Sequence, residues 1–348
     1  MKVVVDRGIK SFKNFISLLD GFNNIDFQYL ETSDITNSKI KDAEILFIRS
    51  TTPVNKTLLN NTKIKIIGSA TAGTDHIDQQ YLDKNNIQWF YSPGSNALSV
   101  VNYVMASICY LNNNNFFSLN DVVGIVGYGN IGKKLKKTLD FFSIKNVVYD
   151  PFLNYDFLSD ISQIIDCDLI TLHVPLTFDS SFPTFNLVDK DFLNEINNKI
   201  LINTSRGGVV DEKSLIDNNN NVSYIADVWI NEPIPNIEII DYSILATPHI
   251  AGHSINGKLN GTINLISHLQ KFLKIDEFVC AENDKKIRNF SHSIKLSQPK
   301  SIQPYYFEYP VDKESSKFKK SYLNNSDDYR KTFESYRANH SHRRDIEI

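Results

Sequence analysis

The run Gly127-Tyr128-Gly129-Asn130-Ile131-Gly132 restricts the possible folds of this chain more than any other feature. It directly follows the apolar stretch 122–126. It opens the segment 130–142, in which Ile131, Leu135, Leu139 and Phe142 fall on one helical face. Between a strand and a helix, the first glycine permits a tight turn and the second lets the backbone approach a pyrophosphate. The third lets helix and strand pack closely. The helix start then offers N–H groups and the positive end of its dipole to phosphates. Asp150 closes the next strand-like run, 147–149, 18 residues after Gly132. A carboxylate there accepts hydrogen bonds from ribose hydroxyls and repels a 2′-phosphate, so NAD is expected rather than NADP.

The rest of the chain repeats this alternation. Residues 1–6, 43–48, 64–69 and 87–90 read as strands, followed by a long helix over 96–111 with Ser95 or Asn96 as N-cap. Further strands are read at 169–173, 200–203 and 224–228, and 251–273 reads as a helix crossing back to the first domain. Strands alternating with helical segments imply parallel sheets. The expected fold is therefore α/β, with two doubly wound parallel-sheet domains of Rossmann or flavodoxin type. The Asn runs 112–115 and 218–221 read as loops.

Composition narrows the function. The 348 residues are 41% apolar, enough for a large core, and the net charge of −3 gives no argument for a nucleic-acid or membrane partner. Cys109, Cys167 and Cys280 are widely spaced and odd in number, which reads as core packing in a reducing compartment with no zinc or other metal site. The N-terminus lacks the pattern of a signal peptide, and no window approaches 18 uninterrupted apolar residues, so a cytoplasmic location is expected. From residue 285 onward there are 14 Lys and Arg against 8 Asp and Glu, a formal +6, with sparse apolar residues. This tail reads as a small appendage or as partly disordered, with one charged helix over 328–344. Its acids and its lack of an aromatic stacking platform argue against a nucleic-acid arm.

Three later segments carry chemistry. They are Asn203-Thr204-Ser205-Arg206-Gly207-Gly208-Val209-Val210-Asp211, Asp227-Val228-Trp229-Ile230-Asn231-Glu232-Pro233 and Thr247-Pro248-His249-Ile250-Ala251-Gly252. All follow strand-like runs, and ligands of open α/β sheets collect beyond the carboxyl ends of strands. Arg206 has the planar fork that holds a carboxylate bidentately. His249 suits a general base near neutral pH. Glu232 would orient that imidazole and stabilise its charged form, and Asp227 would sit near the nicotinamide side. Each residue alone has an ordinary reading, as a surface charge, a structural histidine or a turn; the ordered set after a dinucleotide motif points to oxidation of a hydroxy acid.

In this order the motifs resemble those of the D-isomer-specific 2-hydroxyacid dehydrogenases. The runs 48–55, 68–76 and 93–97, and the stretch 251–262, resemble the branch of that family acting on a phosphorylated four-carbon acid. The resemblance covers about residues 1–275 well and the tail loosely. It implies NAD-dependent oxidation of 4-phospho-D-erythronate to 2-oxo-3-hydroxy-4-phosphobutanoate, in pyridoxal 5′-phosphate (vitamin B6) synthesis. It implies Arg206, Glu232 and His249 as catalytic residues, and Ser50, Thr71 and the position of His253 as substrate contacts. Asp150, Val174, Thr204, Ser205, Asp227 and Gly252 would face NAD beside Gly127, Gly129, Asn130, Ile131 and Gly132. It further implies a substrate-binding domain over 1–95 completed by 252–280, an NAD-binding domain over 96–251, a dimerisation region over 281–348, and a homodimer with the active site in the cleft between the two α/β domains. Arg49, with Lys258 behind it, is our own candidate for the phosphate, against a plain surface-charge reading. Three departures stand out: Val174 replaces the usual Thr, His253 the usual Tyr, and the C-terminal region is short. The competing readings are another dehydrogenase of the family, of the phosphoglycerate or hydroxypyruvate reductase type, and a non-catalytic NAD-sensing protein.

Overall fold

The apolar runs become parallel strands in the computed structural model, which describes residues 1–217, 221–296, 301–324, 328–340 and 343–348. The chain divides into two units, Met1–Asn96 with Ser254–Ile294, and Ala97–His253 with Lys295–Ile348. The first unit holds β1 (Lys2–Asp6), β2 (Asp26–Leu30), β3 (Ile45–Ile48), β4 (Ile66–Ser69) and β5 (Gln88–Phe90) in the order β2-β1-β3-β4-β5. Its sheet is parallel throughout. β3 and β4 are buried along their whole length, as strands covered by helices on both faces must be. The helix Ile255–Phe272 packs Leu259, Ile263, Ile266 and Leu269 against one face with Val3, Val5 and Phe47.

The second unit holds β6 (Val123–Val126), β7 (Asn146–Tyr149), β8 (Leu169–Leu172), β9 (Ile200–Asn203), β10 (Ser223–Ala226) and β11 (Leu245–Ala246). Their order is β11-β10-β9-β8-β6-β7, again all parallel. The buried helix Ala97–Asn113 belongs to this unit, and the helix Asn130–Phe141 turns Leu135 and Leu139 inward.

Four expectations are adjusted. β2 was not read from the sequence because it is an edge strand, DFQYL, paired only with β1 and half-buried, so it lacks the continuous apolar run of its neighbours. The helix expected over 251–273 starts at Ile255, where Ser254 accepts a hydrogen bond from the Gly257 N–H as N-cap; residues 251–253 belong to the preceding loop. The Asn run 112–115 is partly the end of a helix, since Ala97–Asn113 includes its first two residues; most of the second run, 218–220, lies outside the described residues.

The fourth concerns the charged tail. It forms helices Glu277–Arg288, Gln303–Glu308, Val311–Leu323 and Tyr329–Asn339, the last shorter than the 328–344 expected; residues 341–342 lie outside the described residues. Val311, Ser315, Phe318 and Tyr322 are buried at i, i+4, i+7 and i+11, with Phe318, Tyr322 and Phe333 in the core of the second unit. The apolar stripe is narrow, and the exposed Lys313, Lys317 and Lys320 hide it in a charge count. Cys109 and Cys167 are buried, and burial pushes both thiols up to about 11. No helix among the described residues is long and apolar enough to cross a membrane.

Candidate active site

β9, β10 and β11 are adjacent, and their last residues stand side by side: Asn203 pairs with Ala226, and Ala226 with Ala246. The three motif loops therefore leave the sheet from neighbouring carboxyl ends, about 4.8 Å apart from strand to strand. The buried Asp227 ties the first residues of these loops together. Its Oδ1 accepts from the Thr247 hydroxyl at 2.6 Å and the Ile250 N–H at 2.7 Å, and its Oδ2 from the Ala251 N–H at 2.8 Å. The His249 N–H donates to the Asp227 carbonyl at 2.6 Å. These bonds hold His249 at φ +58°, a left-handed conformation that a side-chain-bearing residue keeps only when its surroundings over-determine it.

The loop after β10 places the carboxylate. Glu232 Oε1 accepts from the Trp229 N–H at 2.9 Å, and Oε2 meets His249 Nδ1 at 2.7 Å. Trp229 Nε1 donates to the Thr247 carbonyl at 2.9 Å, closing the two loops on each other. The loop after β9 is locked in by close approach: a Cβ on Gly207 would lie 1.9 Å from the Trp229 carbonyl oxygen, so only glycine fits beside Arg206. Asn203 accepts from the Ser205 N–H and hydroxyl and donates to the Arg206 carbonyl at 3.1 Å, and Arg206 Nη1 donates to the Ser205 carbonyl at 2.8 Å.

The electrostatics follow from burial and from these contacts. Burial alone would raise the Glu232 carboxyl. The His249 side chain and the Trp229 N–H outweigh it and hold the carboxyl below its ordinary value. Glu232 is thus a carboxylate at neutral pH, aimed at Nδ1 of His249. Asp227 is pushed up to about 6 by burial, moderated by His249 and the hydrogen bonds it accepts. Glu212 is pushed up to about 7 by burial; it accepts from the Ile230 N–H at 2.9 Å and so pegs the same loop. Burial pushes His173 down to about 3, which keeps its imidazole neutral; it touches Thr171 at 3.1 Å and Thr204 at 3.4 Å.

The dinucleotide turn lies where the strand order reverses, at β6 and β8. Gly127 has φ +97°, and a Cβ there would lie 2.6 Å from the His173 carbonyl oxygen. Gly129 caps the helix Asn130–Phe141 without a side-chain hydrogen bond, so the first-turn N–H groups of Asn130, Ile131 and Gly132 are not taken up by a cap. Asp150 accepts from the Tyr128 N–H at 2.8 Å and the Phe152 N–H at 3.0 Å, and its half-buried carboxylate keeps lone pairs for ribose hydroxyls. These residues fit a dinucleotide. Val174 is half-buried against the core of this unit and contributes only apolar surface. Thr204 and Ser205 are buried, and Gly252 is half-buried in the loop after His249. Asp227, read from the sequence as a cofactor contact, is 1% exposed with both carboxylate oxygens holding the His249 loop.

In the first unit, Arg49 sits just past β3 with Nε 3.2 Å from Asp6 Oδ1, and its Nη2 donates to the Thr32 hydroxyl at 2.6 Å. Ser50 is exposed beside it. Thr71 follows β4; its hydroxyl meets Ser69 Oγ at 2.7 Å and donates to the Gly73 carbonyl at 3.0 Å, while Ser69 Oγ meets His76 Nε2 at 3.0 Å. In the second unit, His253 stacks on His340 with ring centroids 5.1 Å apart.

Residues 116–251 match the family model described as "D-isomer specific 2-hydroxyacid dehydrogenase, NAD binding domain". The chain is 40% identical over 282 residues to an erythronate-4-phosphate dehydrogenase of Wigglesworthia glossinidia brevipalpis, covering 78% of this chain and 73% of that one. It is 34% identical over 341 residues to the enzyme of that name from Ruthia magnifica, covering 96% and 95%. The chain belongs to the erythronate-4-phosphate dehydrogenases, within the D-isomer-specific 2-hydroxyacid dehydrogenase family. Membership makes it an NAD-dependent oxidoreductase. The fold is also that of an NAD+-bound 3-phosphoglycerate dehydrogenase from Entamoeba histolytica, with a TM-score of 0.67 at 24% identity over 79% of this chain and 96% of that one.

Sequence reasoning missed several supports of this site. Glu212 directly follows the Asp211 that closes one motif, so its place was visible, but its burial was not. His173 was read only as the end of a strand. Tyr103, whose hydroxyl meets Thr247 Oγ1 at 2.8 Å, carried no signal, because the contact spans 144 residues.

Proposed function

We propose that the chain oxidises 4-phospho-D-erythronate at C2 to 2-oxo-3-hydroxy-4-phosphobutanoate, a step of pyridoxal 5′-phosphate biosynthesis, as a cytoplasmic homodimer. The observation that carries the chemistry is the Glu232–His249 contact of 2.7 Å in a loop whose backbone is fixed by Asp227. Arg206 would hold the substrate carboxylate in its planar fork, orienting the C2 hydroxyl. His249 Nε2 then takes the hydroxyl proton as the carbonyl forms. The Glu232 carboxylate accepts from Nδ1 and offsets the positive charge that develops on the ring. NAD, when bound, accepts the hydride from C2. In the reverse direction the same imidazolium returns the proton to the carbonyl oxygen.

A phosphorylated acid needs cationic and hydroxyl donors away from the reacting carbon. Ser50, Thr71, His253 and Arg49 are our candidates, with Lys258 beyond them. Arg49 supports this reading because its guanidinium is pinned in place by Asp6 and Thr32, while 38% of the side chain remains exposed. A fork of five donors exceeds what those two partners take up.

The reading is tested by NADH formation with 4-phospho-D-erythronate, 3-phospho-D-glycerate and glycolate side by side, with a 2-oxo acid added in a parallel set to recycle bound cofactor. A clear preference for the phosphoerythronate is expected. Turnover only with another acid would keep the His249 mechanism and discard the substrate. No turnover with any acid, despite NAD binding, would favour a cofactor-sensing role.

A further inference from the structure

The last residues of the chain are built into the support of the His249 loop. Arg343 is 5% exposed, and its guanidinium donates to the carbonyls of Ile250 (Nη1, 3.4 Å), Ala251 (Nη2) and Ser99 (Nη2, 3.1 Å). Its cationic face lies 3.9 Å from the centre of the Tyr309 ring. A buried guanidinium costs stability unless its donors are taken up; here main-chain carbonyls take those of Nη1 and Nη2, while the buried Nε has no partner among the described residues. Two of those carbonyls, of Ile250 and Ala251, belong to the residues whose N–H groups are held by the Asp227 carboxylate. The peptide joining Ile250 to Ala251 therefore lies between a buried carboxylate on its N–H side and a buried guanidinium on its C=O side, as the opposed bonds of a trans peptide allow. Charge-assisted bonds at both ends fix the plane of this peptide, one residue beyond His249.

The segment that carries Arg343 is itself anchored. Asp345 Oδ2 accepts from the Ser99 hydroxyl at 2.9 Å. Asn102 brackets Ile346, accepting from its N–H at 2.6 Å and donating to its carbonyl at 3.0 Å. Two further tail residues bear on the same neighbourhood: the charge of Arg337 helps hold the Glu232 carboxyl low, and His340 stacks on His253. A histidine at φ +58° does not hold that conformation alone.

The structure assigns to Arg343 the role of a positioning residue that, with Asp227, fixes the His249 loop in its working geometry. The assignment rests on the proposed role of His249 as base, and the test separates the two. In the full-length protein, Arg343→Ala is expected to lower kcat roughly 10- to 100-fold, the scale of a slightly misplaced catalytic group. The KM for the acid and the Kd for NAD should change far less than kcat, because the Arg343 guanidinium is spent on main-chain carbonyls and the Tyr309 ring. Added guanidinium ion should restore part of kcat, an effect that a loss of folded protein would not show. Arg343→Lys keeps the charge but not the fork and should fall between the two, and it carries the test if the alanine variant does not fold. His249→Ala is the control: turnover retained there would remove the base and the reading beneath this one. If His249→Ala is inactive while Arg343→Ala keeps the wild-type kcat, or loses activity only in step with its folded fraction and without response to guanidinium, the assignment to Arg343 is overturned and the mechanism stands.

Discussion

The two parallel sheets follow the same order at their first strands: β2-β1-β3 in the first unit and β7-β6-β8 in the second. In each, the first strand ends where the strand order reverses, the position at which such sheets bind ligands. The second unit leaves that place open, with the Gly127 turn, an uncapped helix start and the Asp150 carboxylate. The first unit fills it. Asp6, fully buried at the end of β1, accepts from the Gly8 N–H at 2.7 Å and the Thr32 hydroxyl at 2.9 Å, and pairs with Arg49 at 3.2 Å. Asp6 and its partners occupy this crossover, so the same topology is left open in one unit and becomes a braced platform in the other. The fold offers the position; a few residues at the first crossover decide its use.

The largest effect that sharpens this contrast concerns buried carboxyls of the second unit. Glu212 has an ordinary value of 4.5 and is pushed up to about 7 by burial, so the folded state holds a proton that the unfolded chain has released between those values. Stability should therefore fall as pH rises through that window, by up to about 3 kcal/mol. Glu212→Gln keeps an acceptor for the Ile230 N–H and should remove this part of the fall. Denaturant unfolding of both proteins from pH 4.5 to 7 would reveal it, and parallel curves would show that Glu212 is not strained by burial.

Next in size is the same substitution made at the two crossovers. Asp6→Ala should cost about 2 kcal/mol of stability, since it strands the Gly8 N–H and the Arg49 guanidinium, and should leave NAD affinity unchanged. Asp150→Ala should change stability little, but weaken NAD about tenfold and relax the preference against NADP, by loss of the ribose hydrogen bonds. Thermal unfolding and titration with both cofactors measure the pair. If Asp6→Ala weakened NAD, or if Asp150→Ala left the cofactor preference intact, the contrast between the two crossovers would break.

What could be read in advance follows the same division. The central strands and the glycine turn were legible because local chemistry specifies them: continuous apolar runs for strands buried on both faces, and glycine where a side chain would strike the His173 carbonyl. The candidate residues Arg206, Glu232 and His249 stood out as motifs beyond strand ends, though no motif could state that Glu232 Oε2 meets Nδ1. Edge strand β2 was not legible, because Asp26 and Gln28 interrupt its apolar residues and none of it is fully buried, whereas the edge strands β5 and β7 kept a legible run. The tail was misjudged for a related reason. Five residues of Val311–Leu323 are buried, only three of them apolar or aromatic, and the lysines between them dominate its composition. Arg343 was invisible, since its hydrogen-bond partners lie more than 90 residues away in the chain.

The central claim is that His249, held by Glu232, carries the proton in a reaction whose cofactor site is built elsewhere in the same unit. It is tested most directly by measuring NAD affinity and NADH formation on one sample of His249→Ala. The account predicts wild-type NAD binding with turnover reduced roughly 10²- to 10⁴-fold, the usual contribution of a positioned base. Turnover at the wild-type rate in a variant that binds NAD normally would contradict it.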